Sequence, residues 1–195
     1  SDNVAVADEV RLKTLAVDKR LLMMGPDCGT VILDGVPLGF ANAVARGSVG
    51  IVAASGTGAQ EVSRLLDGAG AGVSQLIGVG GRDLSAEVGG LMANLALDFL
   101  IDDPDTTVIM MVSKPPAPEV ADALLARLAG IAANGTPVVA CFLGQDDSDT
   151  DGVLVRGTLE GGALAAAGLA GHSFTVTEPE PVHAPPVVAD DEVTN

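Results

Sequence analysis

Ser55-Gly56-Thr57-Gly58 is a tight polar turn between an apolar run, Val49 to Ala54, and an amphipathic stretch that starts near Gln60. When a strand enters a helix through such a turn, the first helical N–H groups have no intrahelical acceptor. They also lie at the positive end of the helix dipole. The four residues are therefore a candidate seat for a phosphate or carboxylate. They also fit an ordinary cap, with Thr57 and Gln60 spaced as a capping box, and the two roles can coexist.

Three further loops carry groups that could serve the same chemistry. Gly80 and Gly81 allow close backbone approach beside Arg82, whose guanidinium fork suits a carboxylate or phosphate, and Asp83 completes that loop's polar set. A salt bridge from Arg82 to Asp83 or Glu87 is the simpler alternative. Lys114 follows a strand and could offset negative charge developing in a transition state, or stand solvated in its loop. Asp27 and Cys28 lie in a Gly-Pro-Asp-Cys-Gly turn, where Cys28 is either a nucleophile or structural. His172 and His183 both fall in the low-complexity end, and neither is assigned a role. No Ser-His-Asp set and no zinc-type spacing of Cys and His is present in the sequence, so no metal is expected.

The elements that must place these loops follow from apolar spacing. Strands are expected at Val49 to Ala54, Val73 to Val79, Thr107 to Val112 and Pro137 to Leu143. Between them, helices bury Val62, Leu65, Leu66 and Ala69, then Val88, Leu91, Met92, Leu95 and Phe99, then Val120, Leu124, Leu128 and Ile131. This alternation predicts an α/β fold, a flavodoxin-like doubly wound parallel sheet flanked by helices, with ligands beyond the carboxyl ends of its strands. Residues 4–17 read as a weak helix, 36–47 as irregular, and 145–151 as a polar loop without an apolar anchor. A short strand at Val153 to Val155 and an Ala-rich helix from Leu159 to Leu169 follow. The expected organisation is an N-terminal helix and linker (1–24), the main domain (25–144), a loop and helix (145–170), and an extended acidic Pro-rich tail (171–195).

Composition narrows the partners. The 195 residues carry a formal net charge of −16, from ten Lys and Arg against 26 Asp and Glu. That argues against nucleic acid and anionic membrane as ligands. Hydrophobic residues make up 48% but aromatics only 2%, with no Trp or Tyr, which suits buried parallel strands and not a surface that stacks bases. The polar, acidic N-terminus and the two cysteines, Cys28 and Cys141, far apart in sequence and in no metal-ligand spacing, predict a cytoplasmic protein. Gly56-x-Gly58 is followed by Glu61 where a dinucleotide fingerprint requires a third glycine, and no Walker lysine follows the turn.

Over residues 8–170 the chain resembles the ligase domain of the succinyl-CoA synthetase α-subunit. The shared wording is Gly25-Pro26-Asp27-Cys28, Gly47 to Val52 with Ser55-Gly56-Thr57, Gly78-Val79-Gly80-Gly81, Asp102 to Thr106, and Pro137-Val138-Val139. It is still closer to the FdrA group of acyl-CoA-synthetase-like proteins, through Leu22 to Thr30, Gly80 to Gly90 and Ser113-Lys114-Pro115-Pro116. The resemblance implies a subunit of a multi-subunit enzyme that forms or cleaves acyl–phosphate or acyl–CoA bonds, with the Ser55-Gly56-Thr57 turn holding a phosphate. The FdrA likeness further implies carbamoyl transfer between oxalurate or oxamate and phosphate, as in ureide breakdown.

Two departures shape the expectation. The synthetases carry a phosphohistidine loop after the strand matching Pro137 to Leu143, whereas residues 145–151 here contain no histidine. The CoA- or nucleotide-binding domain that precedes the Gly-Pro-Asp-Cys motif in that family is also missing from the roughly 20 residues before it. A partner domain or subunit is therefore expected to supply CoA or nucleotide and to complete the site around a small carboxylate substrate. The leading expectation is a carbamoyl- or acyl-transferring subunit with phosphate at Ser55 to Gly58, Arg82 orienting substrate and Lys114 stabilising an oxyanion. The alternatives are an acyl-CoA ligase α-type subunit that forms nucleoside diphosphate, with CoA and phosphohistidine functions in trans, and a non-catalytic scaffold.

Overall fold

The computed structural model describes residues 3–173. The tail expected beyond them, and with it His183, lies outside the described residues. In chain order the elements are α1 (Val6–Asp18), β1 (Thr30–Leu33), β2 (Val36–Gly39), β3 (Arg46–Ala54), α2 (Gly56–Gly68), β4 (Val73–Gly78), α3 (Leu91–Asp102), β5 (Val108–Ser113), α4 (Pro118–Ala133), β6 (Val138–Phe142), β7 (Ser148–Thr150), β8 (Val153–Arg156) and α5 (Leu159–Leu169).

The eight strands form one sheet in the order β2-β1-β4-β3-β5-β6-β8-β7. The five strands β4-β3-β5-β6-β8 are parallel, while β1, β2 and β7 join antiparallel at the two ends. Counted along the chain, the parallel strands run second, first, third, fourth, fifth. This is the flavodoxin-like order, and the expected doubly wound sheet is present. The winding reverses at β3, between β4 and β5, so the crevice beyond the ends of β3 and β5 is the natural ligand position.

Successive strand residues point to opposite faces, and both faces are covered. Ile51 and Ala53 of β3, with Met110 and Val112 of β5, pack into the cluster under α2 and α5. Val52, Ala54, Ile109 and Met111 pack under α3 and α4. Leu66 and Leu128 are fully buried contributions of α2 and α4 to these two layers.

Four local expectations change. Residues 36–47, expected to be irregular, hold β2 and the start of β3, because Asp34 and Gly35 turn β1 back on itself, with Leu33 opposite Val36. Residues 145–151 are not an unanchored loop: β7 pairs with β8, Ser148 opposite Val155. The helix after Asp83 begins only at Leu91, so Val88 is buried ahead of it, in the turns. Phe99 is 39% exposed, not on the core face. The expected strand near Val153 and the helix over 159–169 are both present, the latter capped by Thr158 accepting from the Gly161 amide. Among the described residues no helix is long and apolar enough to cross a membrane.

Candidate functional site at the start of helix α2

Ser55 is the N-cap of α2, and its Oγ accepts from the Gly58 amide at 3.2 Å. The expected capping box on Thr57 does not form. Thr57 is already inside the first turn, and the Gln60 side chain donates instead to the Phe40 carbonyl at 2.7 Å. With Gly58 and Ala59 bonded to Ser55, the amides of Gly56 and Thr57 remain as the helix's outward donors.

These two residues open on a cavity of about 290 Å³ lined also by Asp27, Cys28, Gly29, Thr30, Phe40 and Gln60. The Gly-Pro-Asp-Cys loop is brought there by backbone contact with the end of β4. A Cβ on Gly78 would collide with Cys28 Sγ and the Thr30 carbonyl, and one on Gly80, whose φ is +94°, would collide with the Pro26 carbonyl. Only glycine lets the loop lie this close. Thus Asp27 and Cys28 share one cavity with Gly56 and Thr57, about thirty positions further along the chain.

The remaining expected residues stand elsewhere. Asp83 is sealed from solvent, a correction to its expected role as a substrate ligand. Its Oδ1 takes Lys13 Nζ at 2.7 Å, and its two oxygens accept the Met92 and Ala93 amides at 3.2 and 2.8 Å, capping α3. Burial pushes the Asp83 carboxyl upward, opposed by Lys13 and by those amides. Arg82 is not paired with Asp83 or Glu87. Its Nη2 lies 2.9 Å from Glu9 Oε2 and donates to the Val4 carbonyl at 2.8 Å, so it is committed to α1 and the residues before it.

Lys114 is exposed just after β5, across the switch point from Ser55, and it does not line the cavity. Gly80 backs the Cys28 loop, while nothing lies within 4 Å of where a Cβ on Gly81 would stand. His172 uses its backbone amide to close α5 on Ala167. Cys141 is buried against α5, donates to the Thr158 carbonyl, and is pushed by burial up to about 11. Among the described residues no group of three or more His, Cys, Asp or Glu could hold a metal ion.

Two features escaped the sequence reading. Lys13, in a stretch that reads only as a weak helix, is fully buried between Glu9 and Asp83. The only available signal was the common face of Glu9, Lys13 and Ala16 on α1. Phe40, in a stretch read as irregular, lines the cavity.

The family described as CoA binding domain matches residues 45–143, from the start of β3 to the end of β6. The uncharacterized protein YahF of Escherichia coli (strain K12) is 55% identical over 174 residues, 88% of this chain and 33% of that protein. The α subunit of malate–CoA ligase from Methylorubrum extorquens is 28% identical over 130 residues, 63% of this chain and 43% of the subunit. The chain therefore spans a third to under half of the curated relatives it matches. A dinucleotide-forming acetyl-coenzyme A synthetase of Ca. Korarchaeum cryptofilum, solved with phosphate and ADP, superposes with TM-score 0.56 at 20% identity, covering 91% of this chain and 35% of that one. At that identity the likeness is one of fold.

Proposed function

The chain belongs to the CoA binding domain family over residues 45–143, and we propose that it is the CoA- or nucleotide-binding module of an α-type subunit in a multi-subunit acyl-CoA ligase. The sequence expectation left CoA to a preceding or partner domain. Here the family's own segment is the one that builds the anion turn. The supporting observation is that overlap: the matched segment contains β3, the Ser55 cap and the α2 N-terminus, which open on the 290 Å³ cavity.

In this reading the Gly56 and Thr57 amides hold a phosphoryl oxygen of CoA, a nucleotide or free phosphate. Ser55 keeps the first turn closed, so the donors are already oriented when the anion arrives. Lys114 supplies a cation across the switch point. Arg82, paired with Glu9, positions the loop after β4 rather than clamping substrate. The histidine that carries a phosphoryl group in such ligases belongs to another chain or domain, since residues 145–151 contain none.

A ligand that binds only the folded state must stabilise it, by about 2.7 kcal/mol at a hundred times its dissociation constant. Thermal unfolding of the full chain with CoA, ADP or inorganic phosphate tests the reading: a saturable rise in Tm is expected. No rise with any of the three at millimolar concentration would leave the scaffold alternative. Carbamoyl transfer rests on the motif resemblance to the FdrA group. After reconstitution with its partner subunits, CoA-dependent acyl-CoA formation is the expected result. CoA-independent phosphorolysis of oxalurate would replace the ligase reading with the carbamoyl one.

A further inference from the structure

The described residues contain three phenylalanines, in very different settings. Phe142 is buried in β6 and Phe99 is 39% exposed on α3, while Phe40 is 77% exposed and lines the cavity at the α2 N-terminus. An aromatic ring left this open loses most of its burial free energy, so the surrounding structure has to be what holds it there. Its backbone is held from both sides: the Phe40 amide donates to the Gly29 carbonyl at 2.7 Å, and its carbonyl accepts from Gln60 Nε2 at 2.7 Å. The ring edge lies against Gly29, where an added Cβ would stand 2.6 Å from Phe40 Cδ2. The ring thus has a rigid backing on one side and open space on the other.

The rest of the cavity is chemically divided. Gly56 and Thr57 offer amide donors to an anion. Asp27, exposed on the opposite loop, is an acceptor that repels a bare anion but suits hydroxyl donors. The volume of about 290 Å³ is far more than a tetrahedral ion fills. An aromatic platform, a carboxylate acceptor and anion-binding amides together match the base, ribose hydroxyls and phosphate of one ligand class.

We propose that Phe40 is the adenine platform of this cavity and that it selects an adenine nucleotide moiety, carried by ADP or CoA, over free phosphate. The composition argued against a surface that stacks bases, but a single ring suffices when it stands at the anion turn. This inference rests on the proposed binding module, and its test separates the two. Stacking of a base on an aromatic side chain is lost on truncation to alanine, at a cost of about 5- to 150-fold in affinity.

Calorimetric titration of the full chain and its Phe40→Ala variant with ADP, CoA and inorganic phosphate is the experiment. At least fivefold weaker binding of ADP, CoA or both is expected in the variant, with phosphate changed by less than about twofold. The nucleotide that shows the loss identifies the carrier. Because the protein has no Trp or Tyr, Phe40→Trp places a sole indole at the cavity, and its fluorescence should be quenched by the adenine ligand and unaffected by phosphate. Wild-type protein that binds phosphate but neither ADP nor CoA overturns the inference and leaves an anion site standing. Equal ADP and CoA affinity before and after Phe40→Ala overturns the inference alone, and absence of binding by all three ligands overturns both readings.

Discussion

Lys13 and Asp83 are 70 positions apart in sequence, yet Lys13 Nζ lies 2.7 Å from Asp83 Oδ1 with both side chains fully buried. Lys13 also lies 2.8 Å from Glu9 Oε1 and donates to the Val79 carbonyl at 3.0 Å. Glu9 is held by charge rather than by aligned hydrogen bonds, for neither of its oxygens finds a well-directed donor. One lysine therefore fastens α1 to the end of β4 and, through Asp83, to the start of α3. Removing it leaves the buried Asp83 carboxylate without a cation and Glu9 with Arg82 alone. Lys13→Met is expected to lower stability by about 3–5 kcal/mol, measured by urea unfolding. Arg11→Ala, which breaks only an exposed pair with Asp8 at 3.6 Å, should change it by less than about 0.5 kcal/mol. A Lys13→Met variant as stable as the parent would show that the pair contributes nothing net.

Two glycines flank the cavity and should respond oppositely to a methyl group. An added Cβ on Gly56 meets nothing nearer than Thr30 Oγ1 at 3.7 Å, and its helical backbone accepts alanine. Gly56→Ala should keep stability within about 0.5 kcal/mol and weaken phosphate or nucleotide binding, because the methyl points toward a cavity-lining atom. Gly78→Ala would drive a methyl into Cys28 Sγ and the Thr30 carbonyl, and should cost about 1–3 kcal/mol or more. Comparing chemical unfolding with ligand titration on both variants checks the pair. A destabilised Gly56→Ala would contradict the geometry.

The central sheet was legible because its strands are apolar, β-branched runs bounded by Gly, Pro and Asp, a signal that needs no tertiary information. The end strands were not legible. β2 contains Pro37 and exposes all four of its residues, and β7 is Ser-Asp-Thr, so only their partners β1 and β8 make them strands. At the site, the Ser55 turn is readable from local helix chemistry, but the Thr57–Gln60 spacing places the cap two residues past Ser55, the residue that forms it. Arg82 and Asp83 looked like open site groups because their partners on α1 lie about seventy positions away. The shared cavity of Asp27, Cys28, Gly56 and Thr57 depends on the loop settling over Gly78 and Gly80, a contact that local spacing does not encode.

Cys28 is half-buried and lines the cavity, whereas Cys141 is fully buried in β6. Iodoacetamide at pH 8 should therefore label one thiol of the native protein, Cys28, and reach the second only after unfolding. Peptide mass mapping assigns the site. Saturating ADP or CoA should slow Cys28 labelling, because both would occupy the same cavity. Unchanged labelling in the presence of a ligand that raises Tm would place that ligand elsewhere.

Cys141 also sets an alkaline limit on stability. Burial, with a smaller contribution from nearby Asp147, raises its thiol from an ordinary 9.0 to about 11 in the folded protein. Above pH 9 the unfolded chain gives up this proton while the folded chain keeps it, so the unfolded state binds fewer protons and stability falls as pH rises. The contribution is fully present below pH 9 and is lost progressively up to about pH 11. Cys141→Ala removes the titrating group. Below pH 9 it will lower stability by loss of packing against Gly162 and of the bond to the Thr158 carbonyl. The informative readout is thus the slope of unfolding free energy between pH 9 and 11, which should be shallower in the variant than in the parent. Equal slopes would mean that the folded thiol titrates near its ordinary value.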